Sequence, residues 1–176
     1  MSGHNKWSKI KNRKAVTDAR KSKIFTKMVR LLTVEAKKAK GNVESPGLRT
    51  AIEKAKSVNV PNENIERAIK KATDASSGEM ETVTYEAYGP GGVAVIIEGL
   101  TDNRNKAAAE VKHILSKHGS ALAAIGSASW AFEKTREGWV PKTTTLISEE
   151  DFKKLEALAE ELEDNDEVQE VFTNAE

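Results

Sequence analysis

The sequence predicts an α+β protein, an N-terminal three-helix module followed by a ferredoxin-like antiparallel α/β sandwich. Three observations carry that reading. Apolar residues between Ser22 and Ala72 recur at helical spacing in three separate runs. From Thr82 onward, strand-like runs alternate with two helical ones in the order ββαββαβ. Charge also segregates: residues 1–72 hold 19 Lys and Arg against 6 Asp and Glu, net +13, whereas residues 73–176 hold 9 against 21, net −12. A basic module of residues 1–76 thus joins an α+β module of residues 79–176.

In the first helix, Ile24, Phe25, Met28, Leu31, Leu32, Ala36 and Ala39 make one apolar stripe. Lys23, Lys27, Arg30 and Lys37 fall on the other side, and Gly41 is placed to stop the helix. Ser45-Pro46 reads as an N-cap and a first-turn proline, leading into Leu48, Ala51, Ile52 and Ala55. After Pro61, Ile65, Ala68, Ile69 and Ala72 form the third stripe. Short connections make the three helices neighbours. Thr73 to Gly78 is small and polar, a linker.

Thr82 to Tyr88 alternates as a strand, and Gly89-Pro90-Gly91-Gly92 turns the chain into Val93–Leu100, a β-branched central strand. Thr101-Asp102 is placed to cap a helix with Ala107, Val111, Ile114 and Leu115 inward, ended by Gly119. Ser127–Glu133 reads as a strand with Ala128, Trp130 and Phe132 on one face. Thr135–Gly138 is a turn, and Val140–Ile147 a fourth strand with Pro141 at its entry. Ser148 and Asp151 form a near capping box before a helix burying Phe152, Leu155, Leu158, Ala159 and Leu162. Glu167–Thr173 is the last strand.

The charge pattern points to a partner. Gly3 to Arg30 carries Lys6, Lys9, Lys11, Arg13, Lys14, Arg20, Lys21, Lys23, Lys27 and Arg30 against one acid, Asp18. So many cations repel one another, and a polyanion relieves that by giving up condensed counterions to solution. Trp7 among them suits two roles: stacking on a base, or pinning the arm onto the helices. Gly89-Pro90-Gly91-Gly92 lacks a Cβ at three positions, which permits close approach of backbone to phosphate or sugar, and also suits a plain hairpin turn. Asn103, Arg104 and Asn105 open a helix, where free amides and a guanidinium suit an anion.

Other classes find little support. The absence of cysteine removes thiolate and disulfide chemistry and fits a cytoplasmic location. No run is apolar enough to span a bilayer. His4, His113 and His118 lack metal-ligand spacing, so no metal or cofactor is expected. No nucleophile stands beside a recognisable base, so neither an enzyme nor a small-molecule substrate is expected.

Several stretches together resemble the YebC family: GHNKWSKIKNRKA, KIFTKMVRLLTVEAKKA, NVPNENIERAIKKAT, YEAYGPGGVAVIIEGLTDNRN, EVKHILSKHG and EVQEVFTNAE. YGPGGVAVIIEGLTDNRN is the most specific of these. The family includes probable transcriptional regulators and the translational activator of mitochondrial cytochrome oxidase. The resemblance implies a helical domain and an α+β domain interrupted by an inserted third domain. Here Trp139-Val140-Pro141-Lys142-Thr143 follows SASWAFEKTREG at once, so that third domain is expected to be absent near 134–140.

The resemblance implies a non-enzymatic regulator of gene expression that binds nucleic acid. One family reading is a ribosome-associated translation factor easing synthesis of proline-rich stretches. It places the leader and Tyr88, Gly89, Pro90, Gly91 and Gly92 against ribosomal RNA; from the residues themselves, Tyr88–Gly92 and Asn103–Asn105 together make a second candidate surface beside the leader. The other reading is a transcriptional regulator on duplex DNA. The absence of a recognisable helix-turn-helix or zinc finger favours RNA. A third reading is a protein-interaction module using the acidic half.

Overall fold

The computed structural model describes residues 18–74, 78–136 and 138–176. It divides between residues 81 and 82 into two compact units. The fold is α+β: the described residues hold five helices and an antiparallel four-stranded sheet.

The first unit holds α1 (Asp18–Lys38), α2 (Pro46–Ser57) and α3 (Asn62–Thr73). Helix α1 packs against both others. Leu32, Ala36, Leu48, Ala51, Ala55, Val60, Ile65, Ala68 and Ala72 form the core, edged by Phe25, Met28, Ile52 and Ile69. Five of those nine core residues are alanines, which let the helices approach closely, while Leu32 and Leu48 supply the bulk. The end of α1 forms as its sequence predicts, the Gly41 N–H donating to the Ala36 carbonyl at 2.9 Å. Pro46 opens α2, but the Ser45 hydroxyl makes no capping bond.

The second unit holds β1 (Glu81–Tyr88), β2 (Ala94–Thr101), α4 (Arg104–Lys117), β3 (Leu122–Ala123), β4 (Phe132–Thr135), β5 (Gly138–Pro141), α5 (Glu149–Asp164) and β6 (Val168–Thr173). Its main sheet runs β3-β1-β2-β6. Strand β6 pairs antiparallel with β2, Ile96 opposite Phe172 and Ile97 opposite Val171, with an irregularity at Glu98/Gly99. The two faces of β2 serve two cores. Val93, Val95 and Ile97 meet α4 and α5 through Val111, Leu115, Phe152, Leu155 and Leu158. Ala94 and Ile96 meet Ala128, Ala131 and Phe132, with Trp139 and Phe172 at the margin. Burial on both sides is why β2 is a mostly apolar run, interrupted at Glu98.

Two expectations change here. The strand read at Ser127–Glu133 is a 3-10 turn over Ser129–Ala131 followed by the short β4. Trp130 is therefore 58% exposed, while Ala128 and Phe132 are buried. The strand read at Val140–Ile147 is only Gly138–Pro141, paired with β4 in a separate two-stranded hairpin, with Pro141 at its end. That hairpin covers the second face of the sheet. The Trp139 indole donates to Glu98 Oε1 at 2.9 Å, and Lys134 pairs with the same carboxylate while lying 4.8 Å from the Trp139 ring centre.

The C-terminal stretch closes the unit. Asn174 is buried and accepts the Ala94 N–H at 2.8 Å. Its amide donates to the Thr143 carbonyl and the Thr145 hydroxyl, both at 3.2 Å.

Candidate nucleic-acid interface

The basic stripe belongs to α1. Arg20, Lys23, Lys27, Arg30 and Lys37 follow one another at helical i, i+3, i+4 and i+7 steps and so share a side. Lys21 is exposed one position away from that stripe. The side is less solvated than the sequence suggests: Arg20, Lys27 and Arg30 are half-buried, and Val34 on the same stripe is only 5% exposed. Lys6, Trp7, Lys9, Lys11, Arg13 and Lys14 lie outside the described residues.

In the second unit, the turn after β1 is built by packing and backbone geometry. Gly91 and Gly92 have φ of 73° and 81°, in the left-handed region. A Cβ on Gly91 would lie 2.6 Å from Ile147 Cγ2, so α5's approach leaves no room for a side chain. At Gly92 a Cβ would meet nothing within 4 Å, so that glycine answers to its backbone angle alone. The Gly89 N–H closes the turn on the Val93 carbonyl at 2.9 Å. Pro90 and Gly89 are half-buried; Gly91 and Gly92 are exposed.

The stretch before α4 is organised differently from the expected Thr101-Asp102 cap. Asn103 is the N-cap, its side-chain oxygen accepting the Lys106 N–H at 3.1 Å. The buried Thr101 hydroxyl instead exchanges hydrogen bonds with the backbone of Asn103, both at 2.9 Å. Asp102, Arg104 and Asn105 are exposed. The two stretches expected to share a surface do not meet. Tyr88–Gly92 lies at the start of β2 and Asn103–Asn105 beyond its end, and eight strand residues between them span roughly 25 Å.

What the sequence did not disclose is the neighbourhood of Tyr88. Glu86, two residues earlier on the same face, is 6% exposed. Its carboxylate accepts the backbone N–H groups of Gly126 at 2.7 Å, Ala128 at 3.0 Å and Ser129 at 2.6 Å. Burial alone pushes such a carboxyl's pKa up; the amides of Gly126, Ser129 and Ala128 together outweigh it and hold the group below its ordinary value. The captured loop presents Trp130, whose indole donates to the Tyr88 hydroxyl at 3.3 Å, while that hydroxyl donates to the Ser127 carbonyl. The alternation gave no cue to this, since Glu86 shares the polar side of the strand with Thr82 and Thr84.

Among the described residues no three His, Asp or Glu side chains are grouped to hold a metal ion. His118 sits 2.7 Å from Glu161, whose carboxyl is held below its ordinary pKa by Lys117 and then by His118. No helix among the described residues is long and apolar enough to cross a membrane.

Residues 5–75 match the TACO1/YebC protein N-terminal domain, and residues 80–137 and 133–175 match the TACO1/YebC second and third domain. A probable transcriptional regulatory protein of Petrotoga mobilis is 50% identical over 176 residues, covering 98% of this chain and 70% of the relative. Another so named, from Fervidobacterium nodosum, is 48% identical over 96% of this chain and 68% of its own length. The crystal structure of a conserved hypothetical protein of Aquifex aeolicus superposes with a TM-score of 0.78 at 34% identity, over 90% of this chain and 91% of that one.

Proposed function

The chain belongs to the TACO1/YebC family, and from that premise we propose that it is a non-enzymatic, nucleic-acid-binding regulator of gene expression that acts at the ribosome through ribosomal RNA. The observation that carries this is the α1 stripe of Arg20, Lys23, Lys27, Arg30 and Lys37, which continues the cation-rich leader along one side of a helix. A row of cations over five helical turns tracks a phosphate backbone and binds it through counterion release. In this reading it eases synthesis of difficult, proline-rich stretches in the cytoplasm. The turn at Tyr88–Gly92 is a second RNA contact, and Arg104 and Asn105 a separate anion-facing point at the other end of β2. In this reading the chain is also a short form, with Thr135–Gly138 standing where longer relatives carry a third domain.

A second reading, a regulator on promoter DNA, has the relatives' name behind it: they are called probable transcriptional regulatory proteins. Crosslinking in cells, followed by sequencing of the attached nucleic acid, separates the two. Ribosomal RNA among the crosslinked species supports the first reading; enrichment of promoter fragments overturns it in favour of the second.

A further inference from the structure

We propose that Trp130 and Tyr88 form a rigid stacking platform for an unpaired RNA nucleotide, with Lys142 beside it to meet the phosphate. This deepens the RNA reading given above and rests on it.

Exposure is the first observation. The large apolar side chains most open to solvent among the described residues are Val43, Tyr88, Ile125, Trp130 and Leu146. Tyr88, Ile125 and Trp130 are joined through one loop and its hydrogen bonds, with Ile125 98% and Trp130 58% exposed. Leu146 precedes Ile147, which touches the Gly91 turn, so it too lies at this end of the sheet. A tryptophan whose role is structural sinks its ring into a core and gains from the area removed from water. Trp139, a few residues on, does this work: it is half-buried against Phe132 and tied to Glu98. Trp130 does not.

Rigidity is the second. The polar tips of both rings are satisfied inside the protein, the indole N–H by the Tyr88 oxygen and the phenol by the Ser127 carbonyl. The exposed remainder is aromatic surface. The backbone under it is held by three amides on the buried Glu86 carboxylate. Rings fixed before a ligand arrives lose little freedom on binding it.

The third observation selects the ligand. The Lys142 backbone N–H donates to the Ala131 carbonyl at 2.8 Å, which holds the backbone of this exposed lysine against the turn that carries Trp130. An aromatic surface with a cation at its margin matches a base with its phosphate. The one donor on each ring is used inside the protein, so the platform takes any base by its π-face. Bases inside a duplex are stacked on each other and closed to it; nucleotides of a loop, bulge or single strand are open to it.

The test uses the full chain and a single-stranded RNA decamer carrying one 2-aminopurine, whose fluorescence falls on stacking. The parent quenches the probe, and Trp130→Ala removes the quench and weakens binding by roughly tenfold to a hundredfold. Trp130→Phe keeps most of both, and affinity for duplex RNA is unchanged in either variant. Parental affinity and quench in Trp130→Ala would overturn the platform, as would an equal loss on duplex RNA. The broader reading is scored separately, by whether the parent binds RNA and whether Lys9→Glu, Lys11→Glu and Arg13→Glu together remove that binding. A photoreactive residue in place of Ile125 checks the site without altering either ring. Crosslinking to RNA in cells supports the platform, and crosslinking to protein alone overturns it.

Discussion

The carboxylate of Glu86, on β1, accepts the backbone N–H of Ser129 at 2.6 Å, forty-three residues further along the chain. With the amides of Gly126 and Ala128, this contact converts what reads as a strand into the turn that exposes Trp130. Replacing Glu86 by Gln removes the charge and leaves one acceptor for three donors. The expected cost is about 1–3 kcal/mol in chemical denaturation, with faster amide exchange at Gly126, Ala128 and Ser129.

That contact also sets a pH dependence. The folded pKa of Glu86 lies below its ordinary value of 4.5. Its contribution to stability is therefore complete above that value and is lost as pH falls through the lower, folded one. The parent should lose more stability than Glu86→Gln on acidification, so that their stabilities converge. A gap that stays constant from neutral pH into the acid range would contradict this.

The Glu98–Trp139 bond makes a separate claim, that the β4–β5 hairpin is fastened to the sheet. Trp139→Phe keeps the ring against Phe132 and loses the N–H donor. A loss of about 1–2 kcal/mol is expected by thermal melting, from a hydrogen bond to a charged but partly solvated acceptor. In a Glu98→Gln background the same change should cost less, because the two side chains act on each other.

The turn at Gly89–Gly92 separates packing from binding. Gly91→Ala meets both a left-handed backbone and Ile147, and should destabilise by about 2–4 kcal/mol. Gly92→Ala meets the backbone angle alone and should cost about 1–2 kcal/mol. If the turn contacts RNA, Gly92→Ala weakens RNA binding well beyond that, at a temperature where the variant is fully folded. Equal affinities would assign the turn to architecture.

The stripe on α1 predicts a salt effect. Neutralising Lys23, Lys27 and Arg30 together should lower the slope of log affinity against log salt by about 2 for single-stranded RNA. Unchanged slope with lower affinity would mean that these side chains act through folding rather than phosphate contact.

Most helices and the central strands were legible because one partner, the core, dictates their period. Ile65, Ala68 and Ala72 on α3, and Val95 and Ile97 on β2 with Val93 just before it, are buried as their spacing requires. The failures share a physical cause, a distant group overruling a local pattern. Ala128, Trp130 and Phe132 alternate like a strand, but Glu86 claims the amides a strand would need. Strand β3 is two residues long, too short for any period, and exists because Glu86 and Ala87 pair with Ala123 and Leu122. Asn103 outcompetes Thr101 and Asp102 as the cap because Thr101 is buried at the end of β2 and its hydroxyl is occupied in the turn. For the candidate site, the cations could be read one by one, since charge is a property of single residues. The Tyr88–Trp130 pairing could not, since it exists only once β1 and the 125–130 loop are brought together.

Binding to the ribosome is decided by sedimentation with ribosomes at physiological salt, on the parent and on a variant carrying Lys9→Glu, Lys11→Glu and Arg13→Glu. The parent is expected to pellet with ribosomes and the folded variant to stay in the supernatant. A parent that stays in the supernatant, or a variant that pellets equally well, would contradict it.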